Sequence, residues 1–216
     1  MGRKVVNSVT AAVRVAERAP AQARLVLLFF VSGIAALIYQ VCWQRLLFEA
    51  FGVDIESVTI IVSTFMLGLG LGALLGGELA DRNPARALAL FAIIELAIAV
   101  FGVCSPALIR AAGALAVRSS LGVIATVNFL LLLLPTVLMG ATLPILVTHV
   151  VRHQRNIGVS IGLLYFANTL GASLGAALSG MLVLYYFGLT ATIYLAAALN
   201  ACVSAAVWFG LRRPHV

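Results

Sequence analysis

The sequence predicts an all-α integral membrane protein with six transmembrane helices. Hydrophobic residues make up 63% of the 216-residue chain and charged residues only 10%, a balance outside that of soluble domains. Long apolar runs, separated by short polar loops, fill the chain from Leu25 to Leu211. Each run has the roughly 20 residues that a helix needs to cross a bilayer core about 30 Å thick. Helices are expected because lipid offers no partner to an unpaired backbone amide, and the runs are too long for barrel strands.

The chain divides into a basic N-terminal segment at 1–24, a membrane domain at 25–211 and a tail at 212–216. In the first segment valines recur every four residues opposite arginines, which indicates either an amphipathic helix on anionic headgroups or a disordered basic tail. The first apolar run continues past any signal-peptide cleavage point, so we interpret it as a retained anchor. The six spans are predicted at 25–46, 57–80, 87–109, 121–147, 157–186 and 190–211.

The net charge of +7 is explained by orientation in the membrane. If the N-terminus is cytoplasmic, only Arg45, Arg110 and Arg118 of the 14 basic residues fall outside. Cytoplasmic loops carry the excess of Lys and Arg in membrane proteins, so both termini are expected in the cytoplasm. The bilayer is therefore the expected partner, and the charge does not indicate a nucleic acid. The inner set is Arg3, Lys4, Arg14, Arg18, Arg24, Arg82, Arg86, Arg152, Arg155, Arg212 and Arg213.

Cysteine and histidine give no pattern of a metal centre. The three cysteines are isolated along the chain, which is neither a disulfide framework nor a metal cluster. His149 and His153 have a spacing that could hold a metal, but no acid or thiol lies near them in sequence. No metal and no cofactor are predicted.

Glycine spacing indicates an internal repeat. Gly68, Gly72 and Gly77 in the second span are separated by four and five residues, and the same spacing recurs 103 positions later in the fifth span, at Gly171, Gly175 and Gly180. Three helices per repeat would place the two copies in opposite directions, the 3+3 inverted plan of many transporters. A simpler interpretation is that these small residues, with Asn168 as a hydrogen-bonding neighbour, only let helices pack closely. Both interpretations can hold together.

The loop after the second span has the sequence GGELADRNPAR and contains Gly77, Asp81, Arg82 and Arg86. It resembles the signature loop of the major facilitator superfamily, although Asn83-Pro84 replaces the usual glycine after Asp-Arg. The resemblance implies a latch in which the acid and the arginines pair with neighbouring helix ends. A simpler interpretation is that Asp81 and Arg82 end one helix and Pro84 begins the next, where its missing N–H costs nothing.

Further motifs narrow the resemblance. SGIAALIYQVCWQRLL at 32–47, LLPTVLMGATLPILV at 133–147 and GLLYFANTLGASLGA at 162–176, together with GGELADR and IIEL, are similar to the membrane domain of the fused major-facilitator and spermidine-synthase-like proteins of bacteria. That family implies half of a major facilitator fold in the bacterial inner membrane, commonly followed by a soluble aminopropyltransferase-like domain. These 216 residues are not expected to include such a domain, so the chain alone is not expected to be an enzyme.

Glu95 is the ionisable residue that lies well inside a span. A charged group there is costly and is by default a functional candidate. Desolvation favours the neutral carboxyl. Glu95 is expected either to take up and release a proton or to bind a cationic solute; the alternative is a protonated carboxyl bonded to a neighbouring helix.

A polar cluster ends the first span, and resemblance to a major facilitator half implies that it faces polar residues of the fourth span across a cavity. On one helical face of the first span stand Gln40, Trp43 and Gln44, with Tyr39 at its edge. The alternative treats Tyr39 and Trp43 as aromatics at the membrane interface. The fourth span supplies Asn128, Thr136 and Thr142.

Three functions remain open. The first is a half-transporter-like module that handles a small organic or cationic solute, as a homodimer or with a soluble synthase-like partner enzyme. The second is an accessory subunit of a larger membrane complex, without transport. The third is the anchor of a separately encoded aminopropyltransferase-like enzyme.

Overall fold

The computed structural model describes residues 2–51, 55–116, 121–153 and 157–211. The described residues are helical except for a bend at Asn83. The predicted tail at 212–216 lies outside them, as do the side chains of residues 1–21, on which the predicted amphipathic pattern falls. The backbone of residues 2–21 forms the first part of the first helix. The helices are α1 (Gly2–Phe51), α2 (Ile55–Arg82), α3 (Ala87–Ala116), α4 (Leu121–His153), α5 (Ile157–Leu178) and α6 (Leu184–Ala206).

Five helical stretches of the described residues are long and apolar enough to cross a membrane. The first four correspond to the first four predicted spans. The fifth stretch, Ile157–Gly210, comprises α5 and α6 and the π-helical turns Ser179–Val183 and Val207–Leu211. Its helical geometry is interrupted at Gly188, where φ is 73° and ψ is 176°. Glycine adopts a positive φ without the steric cost that a Cβ would bring, so the chain can change direction here.

The helices pack in pairs. α2 lies along α4 and α1 along α5, while α3 packs on α6; α1 also packs on α6, and α3 on α4. Large side chains of α1 occupy the centre of the bundle, among them the fully buried Phe29, Tyr39, Trp43 and Leu46. Many side chains on the outside of the bundle are large and apolar, such as Leu74, Leu115 and Met181, each more than 70% exposed in the isolated chain. This distribution is that of a protein solvated by lipid.

Candidate functional site

A cavity of about 120 Å³ lies inside the bundle. All six α-helices contribute to its wall, and five of the contributing side chains are polar. The described residues place no basic side chain on this wall. The lining residues are Ser32, Ala36, Leu37, Gln40, Phe65, Leu69, Ile98, Met139, Thr142, Asn168 and Asn200.

The polar groups of the wall differ in how far the protein satisfies them. The Thr142 hydroxyl donates to the backbone carbonyl of Met139 at 2.7 Å, within its own helix. Asn200 is only 2% exposed, yet its Oδ1 accepts no hydrogen bond from the part of the chain that the structure describes. A buried amide oxygen without a donor is costly, because folding has removed its water. Asn200 therefore lies on the cavity wall and carries a buried acceptor that no described donor reaches.

Glu95 lies next to the cavity wall and is separated from the cavity by the hydroxyl group of Ser32. Its side chain is fully buried, and its Oε1 accepts a hydrogen bond of 2.6 Å from the Oγ of Ser32, which itself lines the cavity. Its second oxygen, Oε2, has no hydrogen-bond partner among the described residues. The carboxyl is thus half satisfied by the protein and connected to the cavity through Ser32.

A second polar contact joins α1 to α3 further along both helices. The Trp43 indole Nε1 donates to Ser105 Oγ at 2.8 Å, and Ser105 Oγ donates to the carbonyl of Gly102 at 2.8 Å. Trp43 also stacks on Tyr39 with ring centroids 4.6 Å apart and meets Phe101 edge-on at 5.4 Å. The indole is fully buried in this aromatic cluster.

The predicted cavity residues divide between these environments. Gln40 and Thr142 line the cavity, and so does Asn168, which the sequence assigned to helix packing. Tyr39 and Trp43 belong instead to the aromatic cluster next to α3, fully buried rather than at an aqueous interface.

Three predicted cavity residues lie elsewhere or outside the described side chains. The hydroxyl of Thr136 turns back to the carbonyls of its own helix at Leu132 and Leu133. Gln44 is half-buried and is not part of the cavity wall. The side chain of Asn128 lies outside the described residues.

Sequence reasoning missed Ser32 and Asn200. Serine is too common in membrane helices for Ser32 to stand out. Asn200 gave a signal, because an asparagine within an apolar run must find a partner or face a cavity.

The glycines of the predicted repeat lie at two helix contacts. A Cβ at Gly68 or Gly72 would overlap with Thr136 or Val137 of α4. A Cβ at Gly171 or Gly175 would overlap with the backbone of Phe30 or Ile34 in α1.

The last glycine of each triplet is packed less closely. A Cβ at Gly77 would make only an ordinary contact with Pro144, and one at Gly180 would meet no atom within 4 Å. In α2 it is Gly76, one residue earlier, that closes on Ala141 of α4.

In the signature-like loop, α2 ends at Arg82 and a 3-10 turn begins at Pro84. Arg82 pairs with Glu78 one turn earlier in its own helix, and both side chains are exposed. Asp81 and Arg86 are exposed as well. This ion pair ties α2 to itself, not to a neighbouring helix end.

Comparison with known proteins gives the class. Residues 25–216 match the Major Facilitator Superfamily. The chain belongs to that superfamily, and it is a multi-pass membrane protein of transporter type. It is also 26% identical over 194 residues to a polyamine aminopropyltransferase from Oceanobacillus iheyensis, a match that covers 87% of this chain and 36% of that protein. The chain thus spans about a third of the length of this curated relative. No solved structure matches the chain.

Proposed function

We propose that this chain is one half of a membrane transporter, a module that binds a small organic or cationic solute in its central cavity. The observation that carries the proposal is the internal cavity with its five polar side chains, to which all six helices contribute and which Glu95 adjoins through Ser32. A protein that only anchors or packs has no need of an unpartnered Asn200 oxygen at an internal cavity. Membership of the Major Facilitator Superfamily supports a solute-handling role.

The module has six crossings in this proposal. The stretch Ile157–Gly210 holds 54 residues and would extend about 80 Å if it were straight, more than twice the bilayer core. The break at Gly188 and the packing of α5 on α1 and α6 on α3 support two crossings there.

A 3+3 inverted repeat is the second element of the proposal. Exchange of each helix with the one three positions along converts the α1–α5 contact into the α4–α2 contact, and the α1–α6 contact into the α4–α3 contact. Close glycine approaches occur in both members of the first pair. Inverted repeats of this type build each six-helix half of major facilitator transporters.

Orientation follows the basic residues. Both termini are proposed to be cytoplasmic, in the inner membrane of a bacterium, because this arrangement puts Arg82, Arg86 and Arg152 inside. A second copy of the chain would complete the twelve helices on which alternating access depends.

A second candidate is the anchor of an aminopropyltransferase-like enzyme, encoded separately or fused. The similarity to the polyamine aminopropyltransferase favours it, since this chain matches 36% of that protein. In this role the chain carries no catalysis of its own and delivers its partner to the membrane surface.

The mass of the particle in native lipid discs, with every co-purifying chain identified, separates the candidates. A homodimer that takes up solutes into vesicles supports the half-transporter. One copy bound to a synthase-like enzyme supports the anchor. One copy within a larger membrane assembly, without uptake, would make the chain an accessory subunit and contradict both.

A further inference from the structure

Glu95 is the one acid among the side chains described that is buried; Glu49, Glu78 and Asp81 are exposed. A carboxylate that is withdrawn from water needs more than one hydrogen bond to offset its lost hydration. Ser32 supplies one, and Oε2 receives none from the described residues. The site therefore lacks a positive partner or a further donor for this carboxyl.

Ser32 connects that carboxyl to the cavity. Its hydroxyl hydrogen is used toward Glu95, so its oxygen keeps lone pairs that can accept a hydrogen bond from the cavity side. A ligand that donates to Ser32 would strengthen the hydrogen bond from Ser32 to Glu95, because hydrogen bonds in a chain polarise one another.

The rest of the wall offers acceptors as well. Asn200 Oδ1 is buried and receives no hydrogen bond from the described residues, and the amide side chains of Gln40 and Asn168 line the same cavity. Thr142 uses its hydrogen toward Met139 and keeps its oxygen for accepting. The complementary ligand is rich in N–H donors.

Charge and volume restrict the ligand further. One buried carboxylate balances one positive charge, and no basic side chain of the described wall competes for it. About 120 Å³ is room for a few non-hydrogen atoms. A second ammonium group in the same cavity would have no countercharge and would keep its desolvation penalty.

We propose that the cavity binds a small primary ammonium ion with a single charge, with Glu95 as its countercharge and Ser32 as the link between them. The inference rests on the proposed solute-binding function and names the solute class. This solute class differs from the polyamines to which the name of the Oceanobacillus iheyensis relative refers. Ethylammonium is the simplest probe of the class.

The test measures equilibrium binding of ethylammonium to the full chain in lipid discs, in competition with ethanol, 1,3-diaminopropane and sodium ions. We expect ethylammonium to bind about tenfold or more tightly than the neutral alcohol or the doubly charged diamine. Sodium at equal concentration should not displace it. Tighter binding of ethanol or diamine, or displacement by sodium alone, would overturn the proposal.

Variants assign the countercharge. Glu95→Gln keeps the side-chain size and removes the charge, and should weaken ethylammonium binding about tenfold or more. Ser32→Ala should weaken it less, since the carboxylate remains. Glu78→Gln is the matched control, because it removes the same charge from an exposed site and should leave binding unchanged. If Glu95→Gln does not fold, the ligand series on the unaltered chain still decides.

The outcomes distinguish this inference from the proposed function. Uptake of neutral solutes by a homodimer, with no ammonium binding, would retain the transporter and overturn the ammonium site. Ammonium binding that depends on Glu95, in a chain found only as an enzyme's anchor, would retain the site and overturn the transporter.

Discussion

Two polar contacts join α1 to α3, and they differ in whether every polar atom has a partner. Ser32–Glu95 and Trp43–Ser105 lie about 16 Å apart along α1. In the second contact each donor reaches an acceptor and aromatic rings surround the pair. In the first, one carboxyl oxygen has no partner and the hydroxyl lines a cavity. A closed network fixes two helices against each other, whereas an open one leaves a site for a ligand.

The largest effect on the free energy of unfolding is expected when the Trp43–Ser105 contact is removed. Trp43→Ala should lower the free energy of unfolding in mixed micelles by about 3–5 kcal/mol, because it empties the centre of the aromatic cluster. Trp208→Ala is the control, since Trp208 is 43% exposed on the outside of the bundle, and should cost less. Equal losses from the two variants would show that the cluster has no special role.

Removal of the acceptor alone should have an intermediate effect. Ser105→Ala leaves the indole N–H of Trp43 buried without a partner, and should cost about 1–3 kcal/mol of unfolding free energy. In a Trp43→Phe background the same substitution should cost less, because no N–H is left unpaired. A cost unchanged by that background would contradict the hydrogen bond as its source.

The open contact should contribute less to stability. Glu95→Gln should change the unfolding free energy by less than about 1 kcal/mol, since the amide oxygen can still accept from Ser32 and the side-chain size is kept. Denaturation in the same micelles measures it, with Glu78→Gln as the control. A loss as large as that of Ser105→Ala would make the contact structural and remove the contrast.

The smallest effect is expected at Tyr39. Its hydroxyl is buried, has no hydrogen-bond partner within the described ranges and lies against Gly102, so Tyr39→Phe should be neutral or stabilising by up to about 1 kcal/mol. Ethylammonium binding should not change, since Tyr39 is not on the cavity wall. Weaker binding in this variant would extend the site to the aromatic cluster.

Prediction from sequence succeeded where the signal is local. The apolar runs predicted an all-helical membrane protein, and the Major Facilitator Superfamily match and the helical structure confirm that class. The end of α2 at Arg82 and the start of a turn at Pro84 follow from the polar joint and the proline. Glu95 could be selected because a carboxyl within an apolar run is rare in itself.

The sequence could not decide outcomes that depend on helix rotation and pairing. The helical wheel put Gln40 and Trp43 on one face, but Gln40 lines the cavity and Trp43 packs beside α3. Two residues on one face of a helix can lie in different environments when two other helices pack against that face at different angles. Asn168 was assigned to packing, and it lies both at the close contact of α5 with Gly33 of α1 and on the cavity wall.

The amino-acid sequence was enough to predict that the chain crosses lipid in helices, to locate the apolar runs, and to place one carboxyl among them. Each of these depends on the free energy of transfer of side chains from water to lipid. That free energy is decided by residues that are close together in the sequence. The tertiary structure decided that Ser32 meets Glu95, that Asn200 faces a cavity without a donor, and that Trp43 is enclosed. Those outcomes depend on contacts between residues more than 60 positions apart, which only the packed helices bring together.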